Sequence, residues 1–282
     1  MPADEAGDRA GAGFRLAAVY AHSVLTVPGG RQRPRSASLD LEEACTMSEE
    51  RKQWICSTLD VEGGERVAGS PTMPVSMGVA AKKKLWKPGT ELKVRFLEGA
   101  PALHARVLQT AAAWFVDGVR LKLSAAQGGE PAHIRIAFNP NGGSWSYIGT
   151  DGLGIHPSQP TMNLGWAMLD TAEHDFCSVV IHEFGHALGL LHEHNHPEAR
   201  IKWNRAAVYA DLEGPPNYWD RRTIDYNVFA RFDASNVITT DFDQASVMIY
   251  TIPARWTVDG KSFMPSWTLS AGDVATIRKL YA

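Results

Sequence analysis

The sequence predicts an α+β fold. Three observations carry the prediction. Short segments between residues 91 and 148 alternate apolar and polar side chains with a period of two. Residues 101–118 repeat their apolar positions at helical spacing. A second helix, at about 173 to 190, has one wholly apolar face. The run AKKKLWKPGT, with Pro88 and Gly89, turns the chain into the first strand. In ELKVRFLEG, Leu92, Val94 and Phe96 share one face of that strand. PALHARVLQTAAAWFVDG follows with Pro101 near its start and Gly118 after its end, and Leu103, Val107, Ala111, Trp114 and Phe115 recur as on a helix. VRLKLSAA and AHIRIAFNP alternate again, with the loop AQGGEP between them. GSWSYIGT, after the turn NPNGG, is a further strand candidate. The loop DGLGIHPSQP leads to a short apolar TMNLGW. Beyond the second helix lies a long tract rich in Asn, Pro and Asp. The chain ends in LSAGDVATIRKLYA, where Ser270 is an N-cap with Asp273 three residues on, and Val274, Ile277 and Leu280 share a face.

At 282 residues the chain can bury a substantial core. Its 44% hydrophobic and 21% charged residues are those of an ordinary globular protein. A formal net charge of −3 points to neither nucleic acid nor an acidic membrane as partner. No apolar run approaches the roughly 18 to 20 residues of a membrane helix. Three scattered cysteines, Cys45, Cys56 and Cys177, do not make a disulfide framework. The start, MPADEAGDRAGAGFRLAAVYAHSVLTV, is a poor secretory signal. It carries Asp4, Glu5 and Asp8, and its apolar stretch is broken by His22. An intracellular protein is the simplest expectation, with export by another route left open. Residues 1–84 read as a leader or pro-like segment, flexible over about 1–46, and Met47 is an alternative start. Residues 85–282 read as the folded domain.

The chemistry concentrates in HEFGHALGLLHEHNHP, residues 182–197. Each helical residue turns about 100°, so His186 lies about 40° from His182 on one face. Val180, Phe184, Ala187 and Leu191 form the opposite, apolar face, with Cys177 nearby. Two imidazoles so placed bind zinc at roughly 2.0 to 2.1 Å, and a catalytic site adds a third protein ligand and leaves one position open. Gly189 permits a left-handed residue that ends the helix, after which His192 can swing back to the metal. Glu183, beside the two histidines, is placed to take a proton from water activated there. A bare HExxH arises by chance in helices, but HExxHxxGxxH demands five residues at fixed offsets. His194 and His196 lie past the turn and read as surface residues or as donors behind the ligands. His22, His104, His133, His156 and His174 have no partners at ligand spacing and read as surface or core.

Extended by Glu193, and with SVMIY supplying Ser246, Met248 and Tyr250, the motif resembles that of the metzincin zinc endopeptidases, and within them the astacin family. Trp145, Ser146 and Tyr147 match that family's Trp-Ser-Tyr segment, and the terminal helix also resembles it. The likeness covers roughly residues 85–282. It implies a twisted mixed sheet with an active-site helix, and a smaller C-terminal part that holds a methionine turn. His182, His186 and His192 would hold one Zn²⁺, Glu183 would be general base, and Met248 would be an apolar floor. Tyr250 would approach the metal and stabilise the oxyanion, or else simply pack in the core. The GSWSYIGT strand would be the edge on which an extended peptide substrate lies. The chain departs from the family in lacking its disulfides: Ser144 stands at one cysteine position, and Ile249 replaces the usual His of the methionine turn. No aspartate motif of the family's pro-segment is evident. Cys45 or Cys56 would then be candidates to block the zinc, though a reduced surface thiol is the simpler expectation. The implied activity is zinc-dependent cleavage of proteins or peptides. The alternative is a zinc-containing peptide-binding module that cleaves nothing. Substrate preference and oligomeric state are not encoded in any pattern found.

Overall fold

The strand predicted at residues 91–96 forms and becomes an interior strand of a mixed sheet. The computed structural model describes residues 56–59 and 80–282, except 216, 234 and 236. The leader 1–46, Met47, Cys45 and His22 lie outside the described residues. In chain order the sheet strands are β1 (Ser57–Leu59), β2 (Glu91–Phe96), β3 (Lys122–Ala125), β4 (Ile134–Ala137), β5 (Ser144–Tyr147) and β6 (Met162–Leu164). Their spatial order is β1-β5-β6-β4-β2-β3. The neighbours β3, β2, β4 and β6 run parallel, whereas β5 is antiparallel to β6. β1 lies parallel on the outer side of β5, pairing Ser57 with Trp145 and Leu59 with Tyr147.

Alternation explains the sheet faces: Leu92 and Val94 point into the core and are fully buried, while their neighbours are not. TMNLGW supplies β6, which is only three residues long. A strand that short shows no sequence period and is defined by its neighbours β4 and β5. Helix α1 (Pro101–Ala111) turns Leu103, Val107 and Ala111 inward. Helix α2 (Glu173–Ala187) packs against β5, β6 and α1.

The sequence gives α2 one apolar face, but the helix is buried nearly all round. Phe176, Val180 and Phe184 sit in the core, and His182, Glu183 and His186 are 9%, 1% and 0% exposed. The polar face is covered by the turn at Ser246–Tyr250 and by Cys56. At Gly185 a Cβ would overlap Met248 Sδ and meet Trp114, so a glycine lets the turn pack directly on the helix.

After α2, the Asn- and Asp-rich tract contains helices that no sequence period revealed. They are α3 (Arg205–Leu212), capped by Asn204, and α4 (Arg221–Ile224), capped by Asp220, followed by a π-helical turn Asp225–Phe229. Val208, Leu212, Ile224, Val228, Ile249, Ile252 and Trp256 form a second core beneath this part. Helix α5 (Ala271–Tyr281) closes the chain. The expected cap is present as a full capping box between Ser270 and Asp273.

Candidate metal centre and active site

Helix α2 ends in the way its sequence demands. Leu190 N donates to Gly185 O at 2.9 Å and Gly189 N to His186 O at 2.8 Å, the two bonds of a Schellman cap. Gly189 has φ +90°, where a Cβ would be strained and would meet Leu85. The chain therefore reverses at residue 189 and brings His192 back over the helix.

Three imidazole nitrogens converge there. His186 Nε2 is 3.1 Å from His182 Nε2 and 3.1 Å from His192 Nε2. Two of the rings are oriented from behind: His182 Nδ1 donates to Val247 O at 2.8 Å and His186 Nδ1 to Leu190 O at 2.9 Å. A carbonyl only accepts, so each Nδ1 carries the proton and each Nε2 keeps its lone pair. Burial holds these histidines neutral, with His182 pushed down to about 4 and His186 and His192 well below the usual value. Lone pairs facing one another repel unless a cation lies between them. In a tetrahedral zinc site such nitrogens stand about 3.3 Å apart. The donor set thus fits zinc on its own geometry.

A fourth donor completes the cluster. The Sγ of Cys56 and the three histidine nitrogens all lie within 4.8 Å of one another. Cys56 is 6% exposed, and its thiol lies 3.5 Å from Glu183 Oε2. The expectation of a surface thiol is therefore corrected at Cys56: the β1 segment, paired on the outer side of β5, carries it onto the histidines. Burial raises its thiol well above the ordinary range, with the Glu183 carboxylate adding to the effect. Burial likewise pushes Glu183 up to about 8. A divalent cation at the histidines would favour the charged form of both.

Tyr250 belongs to the same wall. Its ring centroid lies 4.3 Å from that of His192, and its hydroxyl donates to the Cys56 carbonyl. Met248 is buried beneath the helix, and its carbonyl accepts from Glu193 N at 3.0 Å. The turn is held from a distance by α5. Asp273 accepts from Ser246 Oγ at 2.6 Å, Val247 N at 3.0 Å and Ser270 N at 2.9 Å. The capping residue of the last helix therefore also anchors the turn under the site.

His194 and His196, expected at the surface or behind the ligands, are 2% and 1% exposed. His194 Nε2 bonds Asn227 O at 2.9 Å and His196 Nε2 bonds Thr240 O at 3.0 Å. The polar tract that contains them is roofed by residues 223–242, which the local sequence does not announce. Glu193 is also buried and accepts from Asp243 N at 2.8 Å, and burial pushes it up to about 8. His104, His133, His156 and His174 stand apart from the centre. His104 stacks on Phe96, and His133 accepts from Lys93 N. Sequence reasoning raised Cys56 only as an alternative. The signal that favours it is a cysteine upstream of the edge strand in a chain whose remaining described cysteine, Cys177, lies on the far side of α2.

Comparison with known proteins agrees with this geometry. The family model described as Astacin (Peptidase family M12A) matches residues 78–282. A solved structure of myroilysin is 35% identical, with a TM-score of 0.69, covering 72% of this chain and 97% of that one. A crystal structure of myroilysin is 30% identical, with a TM-score of 0.59, covering 82% and 92%. High choriolytic enzyme 1, a hatching enzyme zinc-protease from the medaka Oryzias latipes, is 18% identical, with a TM-score of 0.49, covering 73% and 98%. A search of curated proteins found no match. With the motif, the sheet and the convergent histidines in place, the chain belongs to the astacin family of the metzincins and is a zinc metalloendopeptidase.

Proposed function

We propose that this chain is a latent endopeptidase in which Glu183 is the general base and Cys56 the block. His182, His186 and His192 are the residues that would hold the zinc. When bound, zinc supplies a Lewis acid that polarises a carbonyl and makes water acidic near neutral pH. Glu183 takes a proton from the attacking water and returns it to the nitrogen of the leaving amine. The Tyr250 hydroxyl donates to the oxygen of the peptide carbonyl as charge gathers there. The substrate lies extended along β5, where its backbone pairs with Trp145–Tyr147 by strand addition.

The observation that carries this reading is the position of residues 56–59. They pair with β5, receive the Tyr250 hydroxyl and set a thiol against both Glu183 and the histidines. A segment of the chain's own sequence thus engages each group the mechanism requires. The residues before Ala80 accordingly read as an inhibitory pro-segment, with the domain beginning near Ala80 rather than at residue 85. Ala80 and Ala81 are buried and bridge Leu190 and Val237.

The same thiol supports a second reading. Three histidines and a cysteine make a closed, structural zinc site, as in a peptide-binding module that cleaves nothing. Glu183 argues against it, because such a site has no use for a base. The test is Glu183→Gln in the chain freed of its N-terminal segment. The variant should keep one zinc per chain and lose cleavage of a denatured protein. Undiminished cleavage would sink the mechanism, and a parent that binds zinc but never cleaves would favour the module.

A further inference from the structure

His194 is an unexpected group to bury among rings. It sits in the turn Glu193–Asn195, just past the third histidine of the cluster. Its centroid lies 4.1 Å from that of Tyr250, inclined at 34°, and 5.2 Å from that of His192, inclined at 24°. Tyr250 and His192 touch one another as well. An apolar ring would fill this space without penalty. The imidazole instead leaves Nδ1 buried without a partner, a cost that calls for a reason.

The other nitrogen supplies one. Nε2 faces the Asn227 carbonyl at 2.9 Å, so it carries the proton and acts as a tether. Asn227 lies in the π-helical turn Asp225–Phe229, a rare form frequent at functional sites. The turn is itself braced: Asn227 Nδ2 donates to Thr223 O at 2.9 Å. Asn195, next to His194, donates to Ala230 O at 2.7 Å and Val228 O at 3.3 Å. One rigid segment thus fixes the plane of the His194 ring. That ring is the shelf on which the Tyr250 ring lies, and the Tyr250 hydroxyl in turn meets the carbonyl of the peptide in the cleft, here that of Cys56.

We infer that His194 is a positioning residue: tethered to Asn227, it aims the Tyr250 hydroxyl at the carbonyl that occupies the cleft. This rests on the proposed role of Tyr250 and adds what holds that residue in register. Two variants separate tether from packing. His194→Phe keeps the ring and loses the N–H, whereas His194→Gln loses the ring and keeps an N–H at about the same reach.

The first readout needs neither metal nor activity. In the metal-free full-length chain, the rate of Cys56 alkylation by iodoacetamide is followed by peptide mass spectrometry. Tyr250→Phe and His194→Phe should both speed it, each by about 10-fold, and His194→Gln, which keeps an N–H but removes the shelf, should speed it as well. If His194→Phe labels at the parent rate, the ring only fills space and the inference is overturned; if His194→Gln labels at the parent rate, the ring is no shelf and the inference is likewise overturned. The second readout is peptide cleavage by the full-length Cys56→Ala chain with zinc. His194→Phe should lower kcat about 10-fold or more with KM nearly unchanged, and should add nothing in the Tyr250→Phe background. Additive losses would also overturn it. A Tyr250→Phe chain that cleaves normally would instead refute the oxyanion role of Tyr250, and the alkylation rates would still decide whether His194 aims it.

Discussion

Replacing Cys56 by alanine tests the proposed latency most directly. The substitution removes the sulfur and leaves the backbone of β1 free to pair as before. What remains to hold residues 56–59 is the pairing of three residues with β5 and the Tyr250 bond to the Cys56 carbonyl. At about 0.5–1.5 kcal/mol net for each, these contacts contribute roughly 2–6 kcal/mol. Ordering four residues of backbone costs about 1–2 kcal/mol each, or roughly 4–8 kcal/mol. The two nearly cancel, so on the proposed reading the contribution of the Cys56 thiol, set among the histidine nitrogens where it would join them on zinc, is what closes the site. The full-length Cys56→Ala chain, expressed with zinc, should therefore cleave casein or a quenched peptide at least about 10-fold faster than the parent, since 1.4 kcal/mol shifts an equilibrium tenfold. It should still hold one zinc, measured by plasma emission spectrometry. A chain that keeps its zinc and stays silent would refute the argument that the thiol closes the site. A chain that loses its zinc would show the cysteine to be a structural ligand.

Four further outcomes are expected. Gly189→Ala forces a Cβ into φ +90° against Leu85, which should cost at least about 1–2 kcal/mol. Its melting temperature should fall by several degrees and its zinc affinity should weaken, read by chelator competition, because His192 follows that turn. Asp273→Ala orphans the buried Ser246 hydroxyl and Val247 N–H and breaks the capping box. At about 1–3 kcal/mol for each of the two buried donors, it should lose roughly 2–6 kcal/mol in urea unfolding and impair the site from the opposite end of the fold. His133 has its pKa lowered by burial. Below its unfolded value of about 6.5 the unfolded state binds more protons, so the stability it contributes is present above that pH and fades as pH falls towards the depressed folded value. His133→Asn, which retains an acceptor for Lys93 N, should flatten that slope in pH-dependent thermal melts. Natural activation should cut N-terminal to Ala80, since Ala80 and Ala81 are buried and bridged into the catalytic part. Terminal sequencing of the processed form checks this, and a cut within residues 80–86 would contradict it.

The helix of the zinc motif was legible because its signals are local. Periodicity places His182 and His186 on one side, and a glycine past the last turn allows the reversal that returns His192. The alternating segments gave β2 to β5 for the same reason. β6 and the helices α3 and α4 were not legible: three residues barely complete one strand repeat, and helices of eight and four residues make about two turns or fewer.

The sequence by itself determined which residues could ligate and which could act as a base, since those properties follow from side-chain chemistry and spacing along one helix. Only the tertiary structure decided what meets them. Cys56 reaches Glu183 across 127 residues, Asp273 reaches Val247 across 26, and His194 reaches Asn227 across 33. Such pairings come from how strands and turns stack rather than from any repeat along the chain. A thiol upstream of a sheet and a histidine past a turn look the same on paper whether exposed or buried. Here the edge strand β5 draws the first onto the histidines, and the braced segment 223–230 encloses the second.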